Sequence, residues 1–366
     1  MRFLFKTSYQ QDIRLFRDWT DAAWYGLLAA IVLLLPAVIH PYYVLETGLV
    51  FIYAICGVSL MVLVGFTGLV SLGHAAFLGI GAYAHGYMLS QGFPWVASAA
   101  LAVLITTACG LVVGLPALRM TGIYLAIATL AFAVIIQEVF NRWTSVTKGF
   151  DGLPVDMPVI FWVPFGKIDF YYLCLFFLVL ALWLTRNLLR APTGRAWIAI
   201  RDSEIAAQSM GVNLAIYKSI AFAYSAGLMG LAGVLFAHYV SRIAPDTFDI
   251  LLSIQFLLLV IVGGLGSLHG AIFGAIFVVL LPPFIKILRD EIQVAGAVGR
   301  TISDFLGKPG VEAGIFGLIL VLVILLEPLG MYGRWLKTRV FFSAFPMYKR
   351  ATFRRQKTYM RSERLR

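Results

Sequence analysis

Apolar residues run along this chain in blocks of 16 to 25, separated by short polar or Pro/Gly-rich breaks. Blocks of that length match the roughly 20 residues that carry an α-helix across a bilayer. Ten of them predict helices over 22–39, 43–65, 70–90, 95–117, 122–140, 169–186, 216–240, 249–264, 267–288 and 311–328. The runs are continuous rather than alternating in short segments, which favours a helix bundle over a barrel. The eighth block is short and ends at Gly263-Gly264-Leu265-Gly266. It reads either as a full span or as a half-helix that re-enters.

The predicted fold is therefore all-α: a polytopic membrane helix bundle of about ten transmembrane helices. Its parts are an N-terminal tail (1–21), one membrane domain (22–330) with a polar loop at 187–215, and a basic C-terminal tail (331–366). Composition agrees. The chain is 61% hydrophobic and 13% charged, against about 45–50% and 25% in soluble domains.

Charge orients the bundle. With the N-terminus inside and ten spans, 21 of the 29 Lys and Arg residues fall on the inner side. That is the positive-inside asymmetry, and it requires an even number of spans with both termini cytoplasmic. The net charge of +11 follows from this placement. Because the run from Lys349 to Arg366 lies just past a membrane helix, its expected partner is anionic lipid and not nucleic acid. Residues 1–21 are long and mixed in charge, and no small-x-small site follows the first apolar run, so a membrane helix is expected there rather than a cleaved leader. Cys56, Cys109 and Cys174 lie inside apolar runs with no metal or redox spacing, as small apolar residues would.

Two glycine-rich stretches echo each other at a constant offset of 196 residues. Gly68-Leu69-Val70-Ser71-Leu72-Gly73-His74-Ala75-Ala76-Phe77 aligns with Gly264-Leu265-Gly266-Ser267-Leu268-His269-Gly270-Ala271-Ile272-Phe273 at Gly, Leu, Ser, Leu, Ala and Phe. An internal two-fold pseudo-repeat follows, with a broken helix in each half as the pointer to a translocation path. Amides freed at such a break favour anionic or carboxylate groups. Gly68, Ser71, His74, Gly264, Gly266, Ser267 and His269 are the pathway candidates; the plainer reading of the glycines is close helix packing. Glu46, Glu138, Glu312 and Glu327 all sit near segment ends, so no acidic residue stands clearly at the bilayer centre. Ion-coupled carriers usually need one.

The polar loop is too charged to enter lipid. Thr193 to Gly211 reads as one or two short helices, with Asp202 or Ser203 capping the second, Glu204 in its first turn and Gly211 as a left-handed stop. Small Ala206 and Ala207 leave a surface that another protein can approach; a solvated amphipathic loop is the alternative.

Glu204-x-Ala206-Ala207-x-x-x-Gly211 resembles the cytoplasmic "EAA" loop of ABC importer permeases. Gly194-Arg195-Ala196-x-x-Ala199-Ile200-Arg201-Asp202-x-Glu204 is similar, more closely, to the LivM-type permeases of branched-chain amino acid importers. So are the stretches 65–77, 147–153 and 263–267 and the ending Pro328-Leu329-Gly330-Met331-Tyr332-Gly333. These stretches occur in the family's order and cover about 45–335. Lys148 and Phe150 depart from the family's usual small residues, and the basic tail is longer than usual.

The resemblance implies one permease subunit of a bacterial inner-membrane ABC importer. Its partners would be a second, LivH-type permease, two cytoplasmic ATPase subunits that bind ATP and Mg, a periplasmic solute-binding protein and membrane lipids. Arg195, Arg201 and Glu204 would contact the ATPase, with Ala206, Ala207 and Gly211 shaping the docking surface. Lys148, Gly149, Asp151 and Gly152 would face the binding protein. The chain carries no GxxxxGK[ST] phosphate loop, nucleophile elbow or HExxH, so no catalytic residue, metal site or cofactor of its own is expected. Branched-chain amino acids lead as the solute; close relatives of the family take urea and short amides, or aromatic and other organic acids. A secondary carrier and a membrane-embedded enzyme or scaffold remain as other classes.

Overall fold

A computed structural model describes residues 19–117, 120, 122–160, 163–294, 311–327 and 330–344. The tail up to residue 18, the segment 295–310 and the basic run 345–366 lie outside the described residues. The described residues are overwhelmingly α-helical, and every predicted apolar block is occupied by a helix. These are α1 (Trp19–Val38), α2 (Pro41–Leu60), α3 (His74–Ser90), α4 (Trp95–Ala117), α5 (Ile123–Arg142) and α6 (Lys167–Arg190). The polar loop folds as α7 (Pro192–Asp202) and α8 (Glu204–Ser209). Then come α9 (Leu214–Val240), α10 (Ile250–Gly263), α11 (Leu268–Val294), α12 (Val311–Leu326) and α13 (Gly330–Ala344).

Length and composition support fewer spans than the ten predicted. Six helical stretches among the described residues are long and apolar enough to cross a membrane: Tyr43–Phe66, Trp95–Pro116, Ile123–Arg142, Lys167–Arg190, Leu214–Val240 and Leu268–Ile287. Ala23–Val38 and Ile250–Gly263 are apolar but shorter. At 1.5 Å per residue the 14 residues of α10 reach about 21 Å, short of the roughly 30 Å hydrocarbon layer. The eighth block forms a helix shorter than that layer.

Hydropathy alone could not separate inner from outer helices, because lipid is as apolar as a protein core. The structure does. The spans of α2 and α9 are each 83% buried within the protein, whereas those of α4 and α5 are 28% buried. α9 is central because glycine thins it. A Cβ at Gly233 would strike the Leu78 carbonyl of α3, and one at Gly230 would meet Thr106 of α4 at 2.7 Å.

The sequence echo is an architectural one. α2 continues through a π-helical turn, Met61–Phe66, breaks at 67–73, and restarts as α3. α10 breaks at 264–267 and restarts as α11. The aligned Gly68 and Gly264 both take positive φ, +76° and +110°, a conformation that side-chain-bearing residues rarely tolerate. Both breaks lie at the end of the bundle that carries α7 and α8. At the opposite end, β1 (Leu153–Pro154) pairs antiparallel with β4 (Arg242–Ile243), and β2 (Val159–Ile160) with β3 (Val163–Pro164).

Gly233→Val should lower the stability of the purified protein by about 3 kcal/mol through overpacking against α3. Gly26→Val, where a Cβ would meet nothing within 4 Å, should stay within about 0.5 kcal/mol of the parent. Thermal unfolding in detergent measures both.

Candidate functional site

The polar elbow is built to be rigid. Pro192 opens α7 at a position where its missing N–H costs nothing. Ser203 caps α8, its Oγ accepting from the Ala206 amide at 3.3 Å. Gly211 takes φ +83°, and the Val212 N–H returns to the Ala207 carbonyl at 3.0 Å. The capping serine and the left-handed stop both stand where the sequence pattern placed them. Beneath the elbow, Trp197 is fully buried and its Nε1–H donates to the Tyr217 carbonyl at 2.9 Å.

Two charges in the elbow point inward. Glu204 Oε2 lies 2.8 Å from Lys218 Nζ, and the Lys218 side chain is 1% exposed. An ammonium taken out of water needs such a partner. Sequence reasoning missed Lys218, although a lone lysine in the second turn of an otherwise apolar helix was the available signal. Arg201 reaches further. Its Nη1 donates to the Gly65 carbonyl at 3.0 Å, while Nε and Nη2 donate to Asp202 Oδ1 at 3.2 and 3.1 Å. Its stem packs on Gly68, where an added Cβ would meet Cγ at 3.1 Å, and a Cβ at Gly266 would lie 3.5 Å from Nη1. The Gly266 N–H in turn points at Met61 Sδ, 3.2 Å away. One side chain thus bonds within the elbow and to the π-turn that leads into the first break, packs its stem on Gly68, and lies beside the space a side chain at Gly266 would fill.

The remaining elbow residues divide. Arg195 is exposed and donates to the Arg190 carbonyl at 3.3 Å. Ala206 and Gly211 are exposed, whereas Ala207 is buried. The surface of the elbow is instead dominated by Ile205 and Met210, 84% and 86% exposed.

The first break is sealed by side chains. Ser71 Oγ accepts from the Gly73 N–H at 3.3 Å and sits 3.0 Å from His74 Nδ1; His74 Nε2 lies 2.8 Å from Ser225 Oγ. Ser59 Oγ donates to the Ser225 carbonyl and Ser225 Oγ to the Ser59 carbonyl, at 2.6 and 2.9 Å. One neutral tautomer, with Nε2–H donating to Ser225 and Nδ1 accepting from Ser71, satisfies every member. The Leu72 and Ala75 amides donate to Thr129 Oγ1 and Ser253 Oγ, at 3.0 and 3.1 Å. The amides expected to attract an anion are therefore occupied in this conformation. In the second break, Ser267 caps α11 by accepting from the Gly270 N–H at 2.8 Å. His269 is exposed on the flank, 3.0 Å from the Tyr25 hydroxyl and stacked on Tyr332.

At the opposite end, Lys148 takes φ +61° and, like Asp151, is exposed. Gly149 and Gly152 are buried at positive φ, and Arg242 Nη1 holds the Asp151 carbonyl at 2.8 Å. Below this loop sits a second buried polar cluster that the sequence did not reveal. His85 Nε2 and His238 Nε2 are 3.0 Å apart, Trp95 Nε1–H donates to His238 Nε2 at 2.8 Å, and His238 Nδ1–H donates to the Asp156 carbonyl at 2.6 Å. No group of three or more His, Cys, Asp or Glu side chains that could hold a metal occurs among the described residues.

Residues 44–326 match the family described as the permease component of the branched-chain amino acid transport system. The chain is 34% identical over 255 residues to the high-affinity branched-chain amino acid transport system permease protein LivM of Salmonella typhimurium, covering 63% of this chain and 60% of that protein. The corresponding LivM of Escherichia coli strain K12 is 34% identical over 258 residues, covering 63% and 61%. The autoinducer 2 import system permease protein LsrC of Salmonella typhi is 28% identical over 217 residues, covering 56% and 59%. The chain thus spans about three-fifths of the length of the LivM proteins it matches. No solved structure matches it.

Glu204→Gln should strand the Lys218 ammonium and destabilise the protein by about 3 kcal/mol, the low end for a broken buried pair because Glu204 stays one-third exposed. Glu204→Gln combined with Lys218→Met should recover most of that loss. Melting temperatures of the two single variants and the double variant measure the coupling.

Proposed function

Since the chain belongs to the family of branched-chain amino acid transport system permease components, we propose that it is one permease subunit of an ATP-driven importer for branched-chain amino acids. The observation that carries this reading is the family match across residues 44–326, which takes in both glycine breaks and the elbow. The protein is a multi-pass membrane protein; its proposed place is the bacterial inner membrane. In the proposed topology ten segments enter the bilayer, α10 as a half-helix, and both termini are cytoplasmic. The placement of Lys and Arg supports it.

In this reading a second, LivH-type permease completes the pathway, two cytoplasmic ABC ATPase subunits bind ATP and Mg, and a periplasmic protein delivers the solute near Lys148, Gly149, Asp151 and Gly152. The basic tail meets anionic lipid. The elbow docks on an ATPase. Ile205 and Met210 support this, because two large apolar side chains on a polar loop gain most by burial against protein. Arg195, Ala206 and Gly211 would frame that contact. Arg201 would act from behind it: ATP binding shifts the elbow, and the Arg201 contacts carry the shift to both breaks. Such a device needs two states that nucleotide binds unequally. The Ser71, His74, Ser225 and Ser59 network and the Ser267 cap hold the breaks in the state seen here.

Two measurements test the proposal. Proteoliposomes holding the whole complex should take up labelled leucine only with ATP and binding protein; uptake by this chain alone on an ion gradient would contradict it. Ile205→Asp with Met210→Asp should cut co-purification with the ATPases at least tenfold while leaving membrane insertion intact. Unchanged co-purification would remove the docking surface.

A further inference from the structure

A cavity lies apart from the breaks, between α2, α10 and α11. It is a half-open cleft of about 260 Å³, close to the ~300 Å³ lower end of small-molecule pockets and suited to one small solute. At 1.5 Å per residue its Tyr53 wall stands about 20 Å from the end of the π-turn at Phe66, so it occupies the half of the bundle remote from the elbow.

Its lining has an unusual chemistry. Glu46, Gln255, Tyr53 and Lys286 all face it. Among the described residues, the carboxylate, amide, hydroxyl and ammonium of these four make no hydrogen bond or ion pair, with each other or with any other residue. Unpaired ionisable groups beside a membrane core are costly and mark function. The backbone adds two more free groups. α11 carries Pro282 and Pro283 in sequence. Neither has an N–H to return to the carbonyl four residues earlier, so the carbonyls of Val278 and Val279 lose their helical partners. Both valines and both prolines line this same cavity. Freed carbonyls at membrane depth need a donor.

We propose that this cavity is a binding site for a zwitterionic amino acid with an apolar side chain. Glu46 and the Val278 and Val279 carbonyls accept the ammonium, Lys286 binds the carboxylate, and the aliphatic wall takes the side chain. An acid and a base that face one small space without pairing match a molecule carrying both charges on a short head. Freed carbonyl acceptors in a space that also holds a carboxylate suit an ammonium, which brings three donors. The proposal rests on the importer reading above and deepens it by placing solute recognition in this chain.

The test is equilibrium binding of tritiated L-leucine to the assembled permease–ATPase complex without the soluble binding protein, competed by leucinamide and by 4-methylpentanoate. The wild type should prefer leucine to both. Glu46→Gln and Lys286→Gln should each weaken leucine binding at least tenfold, the size of a charge-assisted contact. Glu46→Gln should also erase the preference over 4-methylpentanoate, which lacks the amine, and Lys286→Gln the preference over leucinamide, which lacks the carboxylate. Co-purification with the ATPases checks assembly, and the exposed Lys286 carries the test if Glu46→Gln does not assemble. Wild-type leucine binding in both variants, or no saturable binding to the wild type, overturns the site. ATP-driven leucine uptake alongside that result would leave the importer reading standing; wild-type complex that takes up no amino acid would remove the importer reading itself.

Discussion

Inside a bilayer no water is available for an unpaired N–H or C=O, so a chain that breaks a helix there must supply the missing partners itself. Among the described residues two such breaks stand out, after α2 and after α10. The four donors that each restarted helix leaves free explain much of the polar chemistry in its core. Ser71, Thr129, Ser253 and Ser267 each accept from a freed amide. His74, Ser225 and Ser59 lock the first break onto the central helix α9. The Gly65 carbonyl, left over where the π-turn ends, receives Arg201. The hydroxyls and the buried histidine thus sit where backbone continuity fails.

That last contact links the backbone constraint to function. A hydroxyl cap stays within the bundle, but Arg201 arrives from the polar elbow. The same side chain that satisfies the first break also stands against Gly266 of the second. An elbow pinned by Trp197 and by the Lys218–Glu204 pair cannot shift without carrying Arg201 with it. Rigid packing below and a mobile partner above are what a coupling element requires. The proposed docking of Ile205 and Met210 on an ATPase supplies the partner.

Much of this was legible in the sequence, and the rest was hidden for physical reasons. Continuous apolar runs predicted the ten apolar helices but not α13, whose residues read as part of the basic tail, and the 196-residue echo predicted two matching breaks. Ser203 and Gly211 were readable because caps and left-handed stops have local chemistry. Which helices lie inside was not readable, because lipid and protein interior select the same side chains. The eighth block read as a full span or a re-entrant piece, and its helix has 14 residues. Ser71 and His74 were singled out, but their partners Ser59 and Ser225 are more than 150 residues apart along the chain from one another. The His85–His238 pair and the Glu46–Lys286 cavity were missed for the same reason: each is made by residues distant in sequence; Lys218, only 14 residues from Glu204, was readable and overlooked. The motif marks Arg201 as an ATPase contact, and it is exposed; its bond to the Gly65 carbonyl was not readable, because it depends on the close approach that Gly68 permits.

The bridge through Arg201 is most directly tested by hydrogen–deuterium exchange at the two breaks, residues 66–73 and 264–267, in the purified wild type and in Arg201→Gln. Loss of the guanidinium contacts should raise exchange at both breaks together, while α9 stays protected. Wild-type protection at both breaks in Arg201→Gln would contradict the bridge and leave the elbow without a structural route to the membrane core.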